Sequence, residues 1–239
     1  RPVYRAKKRP LAPATINRRL AALKSLVKLG GTLGIVAWRL EVDPVKAAKY
    51  RDTAGPGKDG YQAMLAAARK RTDAKGRRDL AIIRLLFDVA LRRGEVVGLD
   101  MEHVDRKRPA VLVLGKGRTE RERVSLPKPT MADLEAWIAA RGERAGPLFV
   151  SLDPGSNGQR LTGEAVRRIV AALAKAAGLG KVRPHGMRHG AITAVLDATG
   201  GDLRKAARFS RHKQVQTLTI YDDNRLDLGG ECAALIAGD

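Results

Sequence analysis

Apolar residues near the start of the chain recur at Ile16, Leu20, Leu23 and Val27. These steps of 4, 3 and 4 are those of a stripe that an amphipathic helix buries. Gly30-Gly31 predicts the end of that helix, a second short one fits Thr32 to Leu40, and Asp43-Pro44 stops it. Gly55-Pro56-Gly57 then interrupts the pattern, and beyond it residues 61–71 and 77–92 read as helices. The period changes at Ala110 to Leu114, a short apolar run bounded by Pro109 and Gly115, and Arg121 to Leu126 alternates. That pair predicts a β-hairpin with Lys116 at its tip. Helical spacing returns over 130–141, 163–178, Arg188 to Thr199 and Glu231 to Ala237. The fold class predicted is mainly α with a small antiparallel β-sheet (α+β), with no internal repeat and no low-complexity tract.

Charge adds a partner to this picture. The 239 residues, enough for one large domain or two modest ones, hold 46 Lys+Arg against 25 Asp+Glu, a formal net charge of +21. A polyanion is the expected partner. Membrane surface is the competitor, but no run of about 18 apolar residues is present and the apolar stretches are broken by Arg and Lys, so nucleic acid is favoured over membrane. Residues 1–60 alone contribute 14 Lys+Arg and 4 Asp+Glu. A basic module is therefore expected over residues 1–50, a linker over 51–60 and a second domain over 61–239. Arg18, Arg19, Lys24 and Lys28 fall off the apolar stripe and are the DNA-binding candidates of the first module. A single cysteine, Cys232, excludes an internal disulfide and a cysteine-rich zinc site, which fits a cytoplasmic location. Because the chain starts at Arg1 rather than Met, further residues are expected to precede it.

Four short motifs carry the chemistry. They are Ala90-Leu91-Arg92-Arg93-Gly94-Glu95; Gly115-Lys116-Gly117; Pro184-His185-Gly186-Met187-Arg188-His189; and Phe209-Ser210-Arg211-His212, with Tyr221 nine positions after His212. Each alone is common. In this order they resemble the active-site region of the tyrosine recombinases, or phage-type integrases, over roughly residues 12 to 225, with the Arg92, the His185–Arg188 and the His212 motifs as first, second and third boxes and Gly115-Lys116-Gly117 as the lysine-bearing hairpin turn. Two departures stand out: Ser210-Arg211 replaces the usual leucine-glycine before the third-box histidine, and the segment Arg118 to Leu126 is one residue longer than the commonest pattern.

The resemblance implies a mostly helical catalytic domain preceded by part of a helical, SAM-like core-binding domain, and it implies roles. Tyr221 would be the nucleophile, forming a 3′-phosphotyrosyl bond whose energy a second DNA hydroxyl can recover. Arg92 and Arg188 suit the two non-bridging oxygens, because guanidinium is always charged and binds phosphate bidentately. His212 would donate to the same phosphate, His185 would donate or accept a proton near the nucleophile, and Lys116 would protonate the leaving 5′ oxygen. Glu95 matches the supporting carboxylate. No metal and no cofactor are expected. Partners implied are double-stranded DNA and three further copies of the chain, a homotetramer on two sites exchanging strands through a Holliday junction. The 18 residues after Tyr221, with Ala233, Leu235 and Ile236, are expected to pack on a neighbouring protomer. The other readings are a type IB topoisomerase, a catalytically silent DNA-binding accessory protein of the same fold, and a metal-dependent nuclease, for which no acidic cluster accompanies the boxes.

Overall fold

The computed structural model describes residues 10–46, 55–115, 117–212, 216, 218 and 228–237. The chain forms two compact units, divided between residues 51 and 52.

In the first unit, α1 (Pro13–Thr32) starts on Pro13, where a missing N–H costs nothing. It runs through Gly30-Gly31 rather than ending there. The glycines serve a close approach instead: a Cβ on Gly30 would stand 2.9 Å from Val36 Cγ2, and the Ile35 and Val36 N–H groups both donate to the Gly30 carbonyl. The helix expected over Thr32 to Leu40 is absent, replaced by a turn and extended chain. That extended chain is held to α1 by paired bonds of 2.8 Å between the Asn17 amide and the Val45 backbone. The predicted stripe is only partly covered: Ile16, Leu20 and Val27 are half-buried, Leu23 is 52% exposed, and no residue of α1 is buried. One helix and one extended segment do not supply enough apolar surface to cover it.

The second unit is built on α3 (Ala74–Phe87), capped by the Asp73 carboxylate on the Gly76 N–H at 2.8 Å. Leu80 to Phe87 is buried on every side, as expected of a helix without a polar face. It is surrounded by α2 (Gly57–Arg69), α5 (Lys128–Arg141), α6 (Gly163–Ala176) and α7 (Pro184–Ala198). Each fully buried leucine or isoleucine there contributes about 1.5–3 kcal/mol. Because α2 starts at Gly57, the helix reaches into the stretch read as linker.

Polar bonds fix the same layer. Asp88 accepts from Tyr61 Oη on α2 (2.6 Å), from Thr130 Oγ1 on α5 (2.6 Å) and from Arg84 Nη1 (3.1 Å). Arg84 Nε also donates to Asp133 at 2.8 Å, and the Tyr61 ring stacks on Phe87 with centroids 3.9 Å apart. Burial, followed by the Asp88 charge, pushes the Tyr61 hydroxyl well above the usual phenol range, so it acts as a donor and not as an acid.

The expected hairpin is present: β2 (Ala110–Leu114) pairs antiparallel with β3 (Arg121–Ser125), with Leu112 opposite Arg123. A short strand not foreseen, β1 (Val104–Asp105), adds to β2 to give the order β1-β2-β3. Two short helices were also not foreseen. The segment 77–92 is not one helix, for α3 stops at Phe87 and α4 (Arg93–Val97) starts anew. Further on, α8 (Leu203–Ser210) follows Gly200-Gly201 and packs Ala206 and Ala207 with Ile192, Leu196 and Leu218 in a second core. A last helix, α9 (Leu228–Ala237), carries Leu235 at 79% and Ile236 at 88% exposed. No helix among the described residues is long and apolar enough to cross a membrane.

Candidate active site

The first box forms at the break between α3 and α4. Ala90 takes a positive φ of 48°, which costs an alanine about 1 kcal/mol, and Arg92 becomes the N-cap of α4. Glu95 at the third helical position accepts the Arg92 N–H at 2.8 Å and the Arg92 Nη1 at 2.7 Å. This is the acidic half of a capping box. Arg92 and Glu95 are thus partners across a helix start, rather than neighbours on one helix side.

The second box opens α7. Pro184 sits at its first position behind the extended Arg183. His185 in the first turn is exposed, while Arg188, three residues on, is 1% exposed. Its Nη1 donates to the Ala90 carbonyl and its Nη2 to the Ser210 carbonyl, so one guanidinium joins all three boxes. His189, the last residue of that box, is buried at 4%. Close approach requires glycine at Gly55, where a Cβ would meet Gly186 O at 2.5 Å and Gly190 N at 2.6 Å. The chain entering the unit runs directly over α7.

The third box ends α8 in a Schellman turn, with the His212 N–H donating to the Ala207 carbonyl and the Arg211 N–H to the Arg208 carbonyl. Arg211 occupies the left-handed position at φ 57°, where glycine is cheapest and an arginine costs about 1 kcal/mol. Its side chain, 6% exposed, donates to Glu95 Oε2 (3.0 Å), Val89 O (3.0 Å) and Ala90 O (3.2 Å). Sequence reasoning assigned it no role; an arginine at a glycine position was the signal.

Ser210 Oγ donates to the Ala206 carbonyl at 2.6 Å and lies 2.6 Å from His212 Nδ1. A hydroxyl has one hydrogen, so Oγ accepts from the ring and neutral His212 carries its proton on Nδ1. Burial first, then the charges of Arg188, Arg92, Arg211 and His185, lower the His212 pKa to about 4. Arg188, bonded to the carbonyl two residues before Arg92 and to the carbonyl two residues before His212, ties the segments that carry them together. Burial pushes the Glu95 carboxyl up but is outweighed by the Arg92 N–H and the Arg211 and Arg92 charges, which hold it below the usual carboxylate range.

Beside Arg92 a hollow of about 220 Å³ is lined by Glu95, Gly115, Arg118, Glu122 and Arg211. The hairpin turn flanking Lys116 therefore borders the arginine box. Lys116 and Tyr221 themselves lie outside the described residues. The expected DNA-binding residues do not all share a face. Arg19 and Lys28 are nine residues apart on α1, about 2.5 turns, and so point to opposite sides. Lys24 and Lys28, one turn apart, line a hollow with Trp38 and Arg39.

Among the described residues, Asp100, Glu102 and His103 bring potential metal-ligand atoms within 4.8 Å of one another. The two inner members are already engaged. His103 Nδ1 accepts the Asp100 N–H at 2.9 Å, and Asp100 Oδ1 receives Arg160 at 2.5 Å.

The family model for the phage integrase family matches residues 57–226. The chain belongs to the phage integrase family. It is 44% identical over 228 residues to a tyrosine recombinase of Synechocystis sp., covering 93% of this chain and 72% of that one. To a tyrosine recombinase of Synechococcus elongatus it is 44% identical over 234 residues, with 96% and 73% covered. Among solved structures it resembles the XerH site-specific recombinase bound to palindromic difH substrate in a post-cleavage complex. The TM-score is 0.73 at 18% identity, covering 95% of this chain and 68% of that one. The Tn1549 transposon integrase in complex with circular intermediate DNA gives a TM-score of 0.69 at 18% identity, with 90% and 76% covered. These structural likenesses carry the integrase fold, mostly helical with a three-stranded antiparallel sheet.

Proposed function

We infer that this integrase-family chain is a site-specific DNA recombinase that cuts and rejoins DNA through a covalent phosphotyrosine. One observation carries the reading: Arg188 ties the first, second and third boxes together through the Ala90 and Ser210 carbonyls. Residues 92, 185, 188 and 212, far apart in sequence, thereby make one cationic site. A positive, partly desolvated cluster of this kind is suited to a pentavalent phosphorane.

In the proposed reaction the Tyr221 oxygen attacks the scissile phosphorus and the bond from phosphorus to the 5′ oxygen breaks. Arg92 and Arg188 neutralise the non-bridging oxygens. His212 is neutral before DNA arrives. The incoming phosphodiester offsets the surrounding positive charge, which raises the histidine's proton affinity and converts it into a donor on Nε2. Lys116 supplies the proton to the departing 5′ oxygen, and His185 takes that of the tyrosine. Attack of a 5′ hydroxyl from a second duplex on the phosphotyrosine reverses the chemistry and exchanges strands.

Exchange of two strand pairs through a Holliday junction requires four active sites on two duplexes, so the working assembly is a homotetramer. The exposed Leu235 and Ile236 on α9 support a tail that packs on a neighbouring protomer. The basic first unit supplies sequence-independent phosphate contacts.

The experiment is to incubate the protein with nicked duplexes carrying candidate sites, with EDTA present. A denaturation-resistant protein–DNA adduct is expected. DNA binding without any adduct would instead favour the silent accessory protein, and adducts lost with EDTA a metal-dependent reaction.

A further inference from the structure

Arg211 touches the acceptor that anchors each of the two phosphate-binding arginines. Its Nη2 donates to Glu95 Oε2, the oxygen that also receives the Arg92 N–H, and this leaves Oε1 for Arg92 Nη1 at 2.7 Å. The same Nη2 and its neighbour Nη1 donate to Ala90 O and Val89 O. Ala90 O is the carbonyl on which Arg188 Nη1 rests.

We propose that Arg211 is a positioning residue of the recombination site: through Glu95 and the Ala90 carbonyl it fixes the separation and tilt of the Arg92 and Arg188 guanidinium groups. The proposal deepens the recombinase reading and rests on it.

Three features separate positioning from plain stabilisation. First, the backbone at residue 211 is left-handed, so glycine would serve the turn better; the arginine is there for its side chain. Second, the side chain is 6% exposed and its bonds go inward to Glu95 and two carbonyls, so it acts on the scissile phosphate through other groups. Third, Glu95 holds a single negative charge between two guanidinium groups. Without Arg211, one carboxylate oxygen loses its side-chain partner, and Glu95 gains freedom to swing and take a second Arg92 N–H that the phosphate needs. Transition-state charge stabilisation depends on donors being held in place before reaction. Loss of Arg211 should therefore slow the chemical step while leaving DNA affinity, set by many phosphate contacts, nearly untouched.

The test compares Arg211→Gly and Arg211→Lys with the parent full chain, measuring adduct formation on a suicide duplex at saturating DNA, DNA affinity and thermal midpoint. Arg211→Gly suits the turn and is expected to fold. Its adduct rate should fall roughly tenfold or more, with affinity within about twofold. Arg211→Lys, which keeps the charge but cannot span three acceptors, should fall between. In a Glu95→Gln background the loss on Arg211→Gly should shrink, because the charge at one of the two acceptors it acts through is gone. A parent that reacts while Arg211→Gly reacts equally fast overturns the inference and leaves the recombinase reading standing. An undiminished loss in the Glu95→Gln background overturns the part of the inference that runs through Glu95. A parent that forms no adduct on any site overturns both.

Discussion

Ser210 Oγ lies 2.6 Å from His212 Nδ1 while donating its own hydrogen to the Ala206 carbonyl. One hydroxyl thus decides which nitrogen of the imidazole presents a lone pair to the site. Ser210→Ala should release this choice, giving mixed tautomers in the nitrogen spectrum of His212 and an adduct rate several-fold lower. Each lost hydrogen bond also removes about 1 kcal/mol of stability. A single unchanged tautomer in the variant would show that some other group orients the ring.

The titration of His212 supplies a second prediction. With its folded pKa at about 4, below the ordinary 6.5, the unfolded chain binds the proton more readily. Stability therefore rises with pH across this window and is lost as pH falls from about 6.5 toward 4. A bound phosphate analogue or DNA should move the pKa upward, since an anion favours imidazolium. Proton–nitrogen spectra with and without anion read both values. A free-protein value at or above the ordinary one would contradict the cationic site.

Asp88 receives bonds from α2, α3 and α5 two residues before the strained Ala90. Asp88→Ala removes the acceptor of Tyr61 and Thr130 and leaves Arg84 with Asp133 as its carboxylate partner. It should cost about 3 kcal/mol in urea unfolding and slow adduct formation by loosening the Ala90 carbonyl. Loss below about 1 kcal/mol would show that the three helices are held by apolar packing alone.

Lys24 and Lys28 share a hollow with Arg39, whereas Arg19 faces away from Lys28. Lys24→Ala and Lys28→Ala should each reduce the slope of log K against log salt by about 0.9, and Arg19→Ala should leave it unchanged. The reverse pattern would place DNA on the other side of α1.

Much of this was legible in the chain, and the exceptions have physical causes. The hairpin was visible because a period of two, bounded by Pro109 and Gly115, contrasts with helical spacing on either side. The break after Phe87 was not, because residues 80 to 91 are almost uniformly apolar and periodicity is silent inside a fully buried run. Gly30-Gly31 misled because glycine serves both helix ends and close contacts, and here Val36 decides for contact. The short α8 offers fewer than three turns of pattern. Arg92, His185, Arg188 and His212 were singled out by their motifs, but the partner of Arg211 lies 116 residues away, a relation that no local spacing encodes. The same holds for Asp88, whose three donors come from three helices.

The central claim is that strand transfer runs through Tyr221 in a site assembled by Arg92, Arg188 and His212. The most direct measurement traps the protein on a suicide duplex, digests the adduct and locates the DNA-linked residue by mass spectrometry, beside Tyr221→Phe. The account predicts DNA on the peptide containing Tyr221, no adduct from Tyr221→Phe, and DNA affinity within a few-fold of the parent. DNA on any other residue, or an adduct from Tyr221→Phe, would contradict it.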